Sequence, residues 1–174
     1  IIVIILKANI QKREKVELEL SNRLEFDKVL LDTIPNPIYY KNIEGKFLGC
    51  NTSFSNLVNS SKNEIIGKTA FDFFPLNVAS KNTQIDQELL NTFATSTSEF
   101  TFYTPSNEMK HIILNKAVYK NIDGSVGGIV CIMDDMTERV QQKQFLIQQS
   151  KLAEMGDMVA AIAHQWNEPL VELS

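Results

Sequence analysis

The stretch that decides the fold is GGIVCIMDDMTER, Gly127 to Arg139. Its first seven residues are apolar, with Ile and Val prominent, and they follow the turn Asn121-Ile122-Asp123-Gly124, so the stretch through Asp134 reads as a strand. The pattern then changes within three residues. Asp134 and Asp135 lead to Thr137, and from there the chain reads as helix. A strand therefore runs directly into a helix. Asp135 stands two residues before Thr137 at that boundary, where side-chain oxygens can take up the orphan N–H groups of a new helix. Arg139 can pair with an acidic neighbour and stiffen the same joint.

Upstream of this stretch lie two more strands. HIILNKAVY begins at His111, and in the segment before it Phe100 and Phe102 alternate with Glu99, Thr101 and Tyr103. A helix over roughly Asn77 to Phe93 carries Ile85, Leu89 and Phe93 on one face. Shorter pieces precede it: TSFSNLVN, SKNEIIG with Ser61 as cap and Gly67 as stop, and the compact aromatic TAFDFFP. Before these, PIYYKN and KFLGCN flank Ile43-Glu44-Gly45 and read as a hairpin. Two strands, several short helices and three strands predict an α+β fold, with a five-stranded antiparallel sheet carrying short helices on one face.

Long helices are expected on both sides of this segment. Residues 1 to about 32 contain no glycine or proline, and Val16, Leu20, Leu24 and Leu31 keep one narrow face apolar. Ile34-Pro35-Asn36-Pro37 ends that helix. After the sheet, Gln141, Phe145, Gln148, Leu152, Met155, Val159, Ile162 and Trp166 recur at gaps of 4 and 3, a heptad seam. So narrow a seam is buried only against another helix, so parallel dimeric coiled coils are predicted for the flanking helices. The expected divisions are 1–33 (membrane-proximal linker helix), 34–136 (sheet domain) and 137–174 (coiled coil).

The 174 residues are 44% hydrophobic and 22% charged, as in soluble globular proteins. A net charge of -4 argues against a nucleic-acid partner. Cys50 and Cys131 form no CxxC pair, which fits a reducing compartment and predicts no metal site. Ile1 to Leu6 is apolar but far short of the about 20 residues a membrane span needs. The basic Lys7, Lys12, Arg13 and Lys15 follow it, which matches the positive-inside rule and predicts an anchoring helix upstream, with the chain on the cytoplasmic side of a cell membrane. A buried helix end is the alternative. No small-residue cleavage site marks a signal peptide.

The element order resembles a PAS domain over about residues 25 to 140. The resemblance is carried by Ile34-Pro35, Asn51-Thr52-Ser53-Phe54, Ile66-Gly67-Lys68 ahead of TAFDFF, and Asp134-Asp135-Met136-Thr137-Glu138-Arg139. It implies a ligand pocket between sheet and helices, with Phe54, Phe71, Phe74, Phe93, Ile112 and Leu114 as candidate lining residues. It also implies a signal-relay role for Asp135 and Thr137, with Arg139 beside them. The pocket's cofactor stays open. Cys50 sits at a strand end, which does not match the covalent flavin motif, and the helix Asn77 to Phe93 has no histidine for a haem. His111 opens a strand and reads as a surface residue.

The last helix holds AIAHQWNEPL, Ala161 to Leu170. With Ile162 and Trp166 in the seam, His164 falls at the outermost heptad position, and an unperturbed imidazole is largely neutral and nucleophilic at pH 7. Pro169 cannot donate to the helix ladder and is expected to bend the helix beside it. His-x-x-x-x-Pro, preceded by KLAEMG, resembles the phosphoacceptor box of sensor histidine kinases, in the subgroup whose box reads His-Gln-Trp. The resemblance implies that His164 takes the γ-phosphoryl group of ATP and passes it to a response-regulator aspartate. Gln165 stands where many of these kinases place an acidic residue, and can orient His164 only by hydrogen bonding. Glu168, one turn on, could act as base. No glycine-rich phosphate loop or D-x-G-x-G is present, so ATP and magnesium are expected only through a kinase domain elsewhere in a longer protein. The competing expectation is a non-enzymatic PAS module that binds a ligand and dimerises.

Overall fold

Period-2 burial along β4 and β5 organises the molecule. The structure is a computed structural model that describes the backbone of residues 2–171 and the side chains of 6, 7 and 9–166. The elements run α1 (Ile2–Thr33), β1 (Ile38–Lys41), β2 (Phe47–Cys50), α2 (Thr52–Leu57), α3 (Lys62–Ile65), a 3₁₀ turn (Ala70–Asp72), α4 (Leu76–Thr92), β3 (Thr95–Tyr103), β4 (Met109–Lys120), β5 (Val126–Asp135) and α5 (Thr137–Val171). The sheet has five strands in the order β2-β1-β5-β4-β3, and every neighbouring pair is antiparallel. The last strand in sequence is thus the middle of the sheet. Ile112, Leu114 and Lys116 of β4 face inward, as do Ile129, Cys131 and Met133 of β5.

The core lies between this inner face and the helices. Tyr39 and Phe47 meet edge to face at 5.1 Å, Tyr39 and Phe54 lie 4.9 Å apart, and Phe74 meets Phe102 at 5.2 Å. Ser61 caps α3 in a reciprocal box with Glu64, and Gly67 leaves the turn with a positive φ of 83°. Gly128 has φ 148°, and a Cβ there would lie 1.8 Å from the Lys41 carbonyl oxygen, so only glycine fits.

The end of α1 is fastened to this core by two side chains. Asn51 is 1% exposed and is the N-cap of α2. Its Oδ1 accepts from the Phe54 and Ile38 N–H groups, and its Nδ2 donates to the carbonyls of Leu31, Ile34 and Asn36. Asp32 accepts from the N–H and hydroxyl of Thr52 and from Lys62 Nζ at 2.6 Å. The strand-end carboxylate Asp134 accepts from Asn36 and Asn115, which ties the start of β1 to β4 and β5.

The described chain divides into two units at Asp135/Met136. The second unit is α5, a 35-residue helix. Its seam side chains Phe145, Leu152, Met155, Val159, Ile162 and Trp166 are all exposed in the single chain. No helix of the described residues is long and apolar enough to cross a membrane.

Candidate functional site

The inner face of β1, β5 and β4 places Tyr39, Cys131 and Lys116 in one row across three strands, through the pairs Tyr39–Cys131 and Cys131–Lys116. Lys41 lies two residues along β1 from Tyr39, on the same face. Across from them α4 presents Asn82 and Asp86, one turn apart. The result is a buried charge cluster. Lys41 Nζ is 3.0 Å from Asp86 Oδ2, and Lys116 Nζ is 2.5 Å from Asp86 Oδ1. Lys116 also donates to the Asn82 side-chain oxygen. The Lys41 ammonium sits 5.1 Å from the ring centres of both Tyr39 and Phe47, a cation–π placement. All three charged groups are buried: Lys41 is 1%, Lys116 2% and Asp86 6% exposed.

Burial sets the protonation chemistry here. It lowers the Lys116 pKa, with Asp86 pulling the other way. It raises the Cys131 thiol to about 11 despite the neighbouring Tyr39 hydroxyl and the two ammonium groups, and it pushes the Tyr39 phenol well up as well. Cys131 is therefore an unreactive thiol.

Two small cavities flank the cluster. One, about 10 Å³, is lined by Tyr39, Phe74, Val78, Asn82, Phe100, Phe102, Leu114 and Met133. The other, about 50 Å³, touches Lys41 and Asp86 and is walled by Thr83, Gln87, Leu90, Ile129 and the 42–45 turn. Of the side chains expected to line a pocket, Phe74 and Leu114 line the first cavity, while Phe54 and Ile112 are buried in the core beside it. Phe71 and Phe93 correct that expectation. In the 3₁₀ turn Ala70 points inward and Phe71 outward, half exposed, so Phe73 and Phe74 fill the core instead. Phe93 ends α4 in the left-handed conformation with φ 56°, which leaves its ring half exposed, 5.3 Å from Lys120 Nζ. Lys41 and Asp86 carry no sequence signal of their own, whereas the alternation Ile112-Leu114-Lys116 places Lys116 on the apolar face.

At the domain's end, Asp135 closes β5 and pairs with Lys110 Nζ at 3.0 Å, Thr137 begins α5, and Arg139 is exposed. His164 and Gln165 are exposed on α5, whose backbone stays helical past Pro169 to Val171. The side chains of Glu168 and Pro169 lie outside the described residues, as do the expectations placed on them. His111 is half-buried on β4, with its Nδ1 3.1 Å from the Thr101 hydroxyl. Cys50 is half-buried at the end of β2. Among the described residues no cluster of His, Cys, Asp and Glu could hold a metal ion.

Residues 31–141, more than half of the chain, match the family described as PAS fold. The chain belongs to the PAS fold family. Its PAS domain is homologous to regions of larger sensor proteins. The virulence sensor protein BvgS of Bordetella pertussis is 24% identical over 97% of this chain and 14% of its own length. The aerobic respiration control sensor protein ArcB of Escherichia coli is 24% identical over 83% of this chain and 18% of its own. The chain thus spans less than a fifth of either relative. Among solved structures, the PAS domain of Bordetella pertussis BvgS aligns with TM-score 0.59 at 22% identity, covering 75% of this chain and 98% of that domain. A Vibrio cholerae VqmA dimer aligns with TM-score 0.61 at 18% identity, over 67% of this chain and 52% of that one. The homology to BvgS and ArcB supports a sensory role for the PAS domain, and the solved structures show its five-stranded α+β fold.

Proposed function

We propose that the chain is the sensory and phosphoacceptor part of a two-component sensor histidine kinase. The observation that carries this is continuity: β5, the central strand of the PAS sheet, leads after one residue into a 35-residue helix that bears an exposed histidine. The BvgS alignment supports it by reaching past the PAS domain to cover 97% of the chain. In this reading a state of the PAS domain is passed through Asp135, Thr137 and Arg139 to α5. The exposed seam of α5 pairs in parallel with a second copy, and His164 stands outside the seam. A ring nitrogen of His164 attacks the γ-phosphorus of ATP, and its lone pair forms the N–P bond as the bond to the ADP oxygen breaks. A kinase ATP-binding domain of the same protein, outside this chain, supplies the nucleotide and magnesium. The phosphoryl group then moves to an aspartate of a response regulator. Gln165 orients the imidazole, Glu168 serves as base, and Pro169 loosens the helix nearby. A membrane anchor upstream of the basic Lys7–Lys15 segment places the chain in the cytoplasm.

The test supplies a kinase ATP-binding domain and labelled ATP to the chain. Acid-labile label is expected on the wild type and absent from His164→Ala; full label on the variant refutes the assignment. In the full-length protein, Asp135→Ala is expected to cut the response to stimulus while leaving basal label, and an unchanged response refutes the relay.

A further inference from the structure

The Lys41–Asp86–Lys116 cluster holds two ammonium groups against one carboxylate. Asp86 is the one acidic side chain among the described buried residues, so the cluster carries one positive charge too many when both lysines are protonated. An uncompensated buried charge stays costly even after the surroundings relax. Among the described residues Asp86 is the single hydrogen-bond acceptor of Lys41 Nζ, an ammonium with three donors that also lies over the Tyr39 and Phe47 rings. Lys116, by contrast, is well supplied, since it donates to Asp86 and Asn82. The surplus donors therefore belong to Lys41. The 50 Å³ cavity is lined by Lys41 and Asp86, with Asn42, Glu44, Thr83 and Gln87 as its other polar walls and Leu90 and Ile129 among the apolar ones. That is the space of a few waters, at about 10–15 Å³ each.

We propose that this cavity is a ligand site for a short-chain monocarboxylate, whose carboxylate pairs with Lys41 and whose few carbons lie against Leu90 and Ile129. Occupation neutralises the cluster and links β1 to α4 through the ligand. A dianion is disfavoured, because Asp86 already compensates one lysine. The proposal deepens the sensory reading by giving it a ligand class and rests on that reading only for what binding means. Binding is measured on this chain without His164 chemistry, so its failure is distinguishable from a failure of phosphotransfer.

The experiment is thermal unfolding of the whole chain in sodium butyrate against sodium chloride at matched ionic strength, at pH 7. Butyrate is expected to raise Tm by several degrees more than chloride at about a hundredfold excess over Kd. Lys41→Met, which leaves a balanced Lys116–Asp86 pair, is expected to abolish the difference. Asp86→Asn removes the competing carboxylate and is expected to tighten butyrate binding about tenfold. A merely structural cluster predicts no butyrate-specific shift in the wild type, and that result overturns the proposal, as does an equal shift in Lys41→Met. If either variant fails to fold, lysine Cε signals in wild-type ¹H–¹³C spectra decide. The buried lysine signals move with butyrate if the site exists, and stationary signals overturn it.

Discussion

Replacing Asn51 by alanine tests whether one buried amide joins α1 to the PAS core. The side chain is 1% exposed, so its partners have little access to water after the change. Two backbone donors, Ile38 N–H at 2.9 Å and Phe54 N–H at 3.0 Å, lose their acceptor. Each orphaned buried donor costs about 1–3 kcal/mol, and the Phe54 loss includes the cap of α2, by itself about 1 kcal/mol. The carbonyls of Leu31, Ile34 and Asn36 lose a donor, at smaller cost because Ile34 still accepts from the Ser53 hydroxyl. The total is about 3–5 kcal/mol, against a stability of about 5–15 kcal/mol for a domain. In urea unfolding at constant m this lowers the midpoint by about 2 M. Asn51→Asp separates donors from acceptor. It keeps the oxygen that accepts two N–H groups but sets a carboxylate against three carbonyl oxygens. That carboxyl is pushed up in the folded state, so the variant is expected to recover stability as pH falls from 7 to 4. A loss below about 1 kcal/mol in Asn51→Ala would refute the anchoring role.

Three further outcomes are expected. Gly128→Ala should cost about 3 kcal/mol or more in urea unfolding, because its φ is 148° and the new Cβ meets the Lys41 carbonyl; a neutral result would contradict the backbone described there. Lys116→Met should be more stable than wild type by about 1–2 kcal/mol at pH 7, since a balanced Lys41–Asp86 pair is left in the core. Because burial holds the Lys116 pKa below its usual 10.5, the unfolded chain binds more protons in that window, wild-type stability gains from this group as pH rises, and the gap between the two proteins should narrow toward pH 10.5. Asp32→Asn should cost about 0.5–1 kcal/mol at pH 7, discounted for partial exposure. The Lys62 hydrogen bond holds the Asp32 carboxyl below its usual range, so that contribution is present above the ordinary carboxylate pKa and disappears as acid titrates the folded group, which paired unfolding curves at pH 7 and pH 3 would show.

The strands were legible because their side chains alternate, and the caps because Ser61, Asn51 and Gly67 carry their own local chemistry. Boundaries were less so. Strand β3 begins at Thr95, four residues before Glu99, because Thr95 to Ser98 pair with β4 through the backbone and carry no apolar signal. Phe71 and Phe93 misled because large aromatics in short elements are read as core, whereas a 3₁₀ turn and a left-handed cap turn them outward. The charge cluster was hidden for a different reason. Lys41, Asp86 and Lys116 are far apart in sequence, and each reads singly as a solvated residue. Only the pairing of β1 and β4 on either side of β5, with α4 across them, brings the three together.

The place of β5 in the sheet has a consequence for the order in which the domain is made. During synthesis β1 and β2 emerge first and can pair as a hairpin, but an isolated hairpin is marginal in water. The neighbour that completes β1 is β5, about ninety residues later, as the register of Ile38 with Ile132 requires. Until Asp135 has left the ribosome the sheet is two separate ribbons with open edges. Such distant pairing is slow, and edges exposed in the interval favour association with other chains. Closure of the nascent sheet thus waits on the release of β5, and α5 is the next segment to emerge.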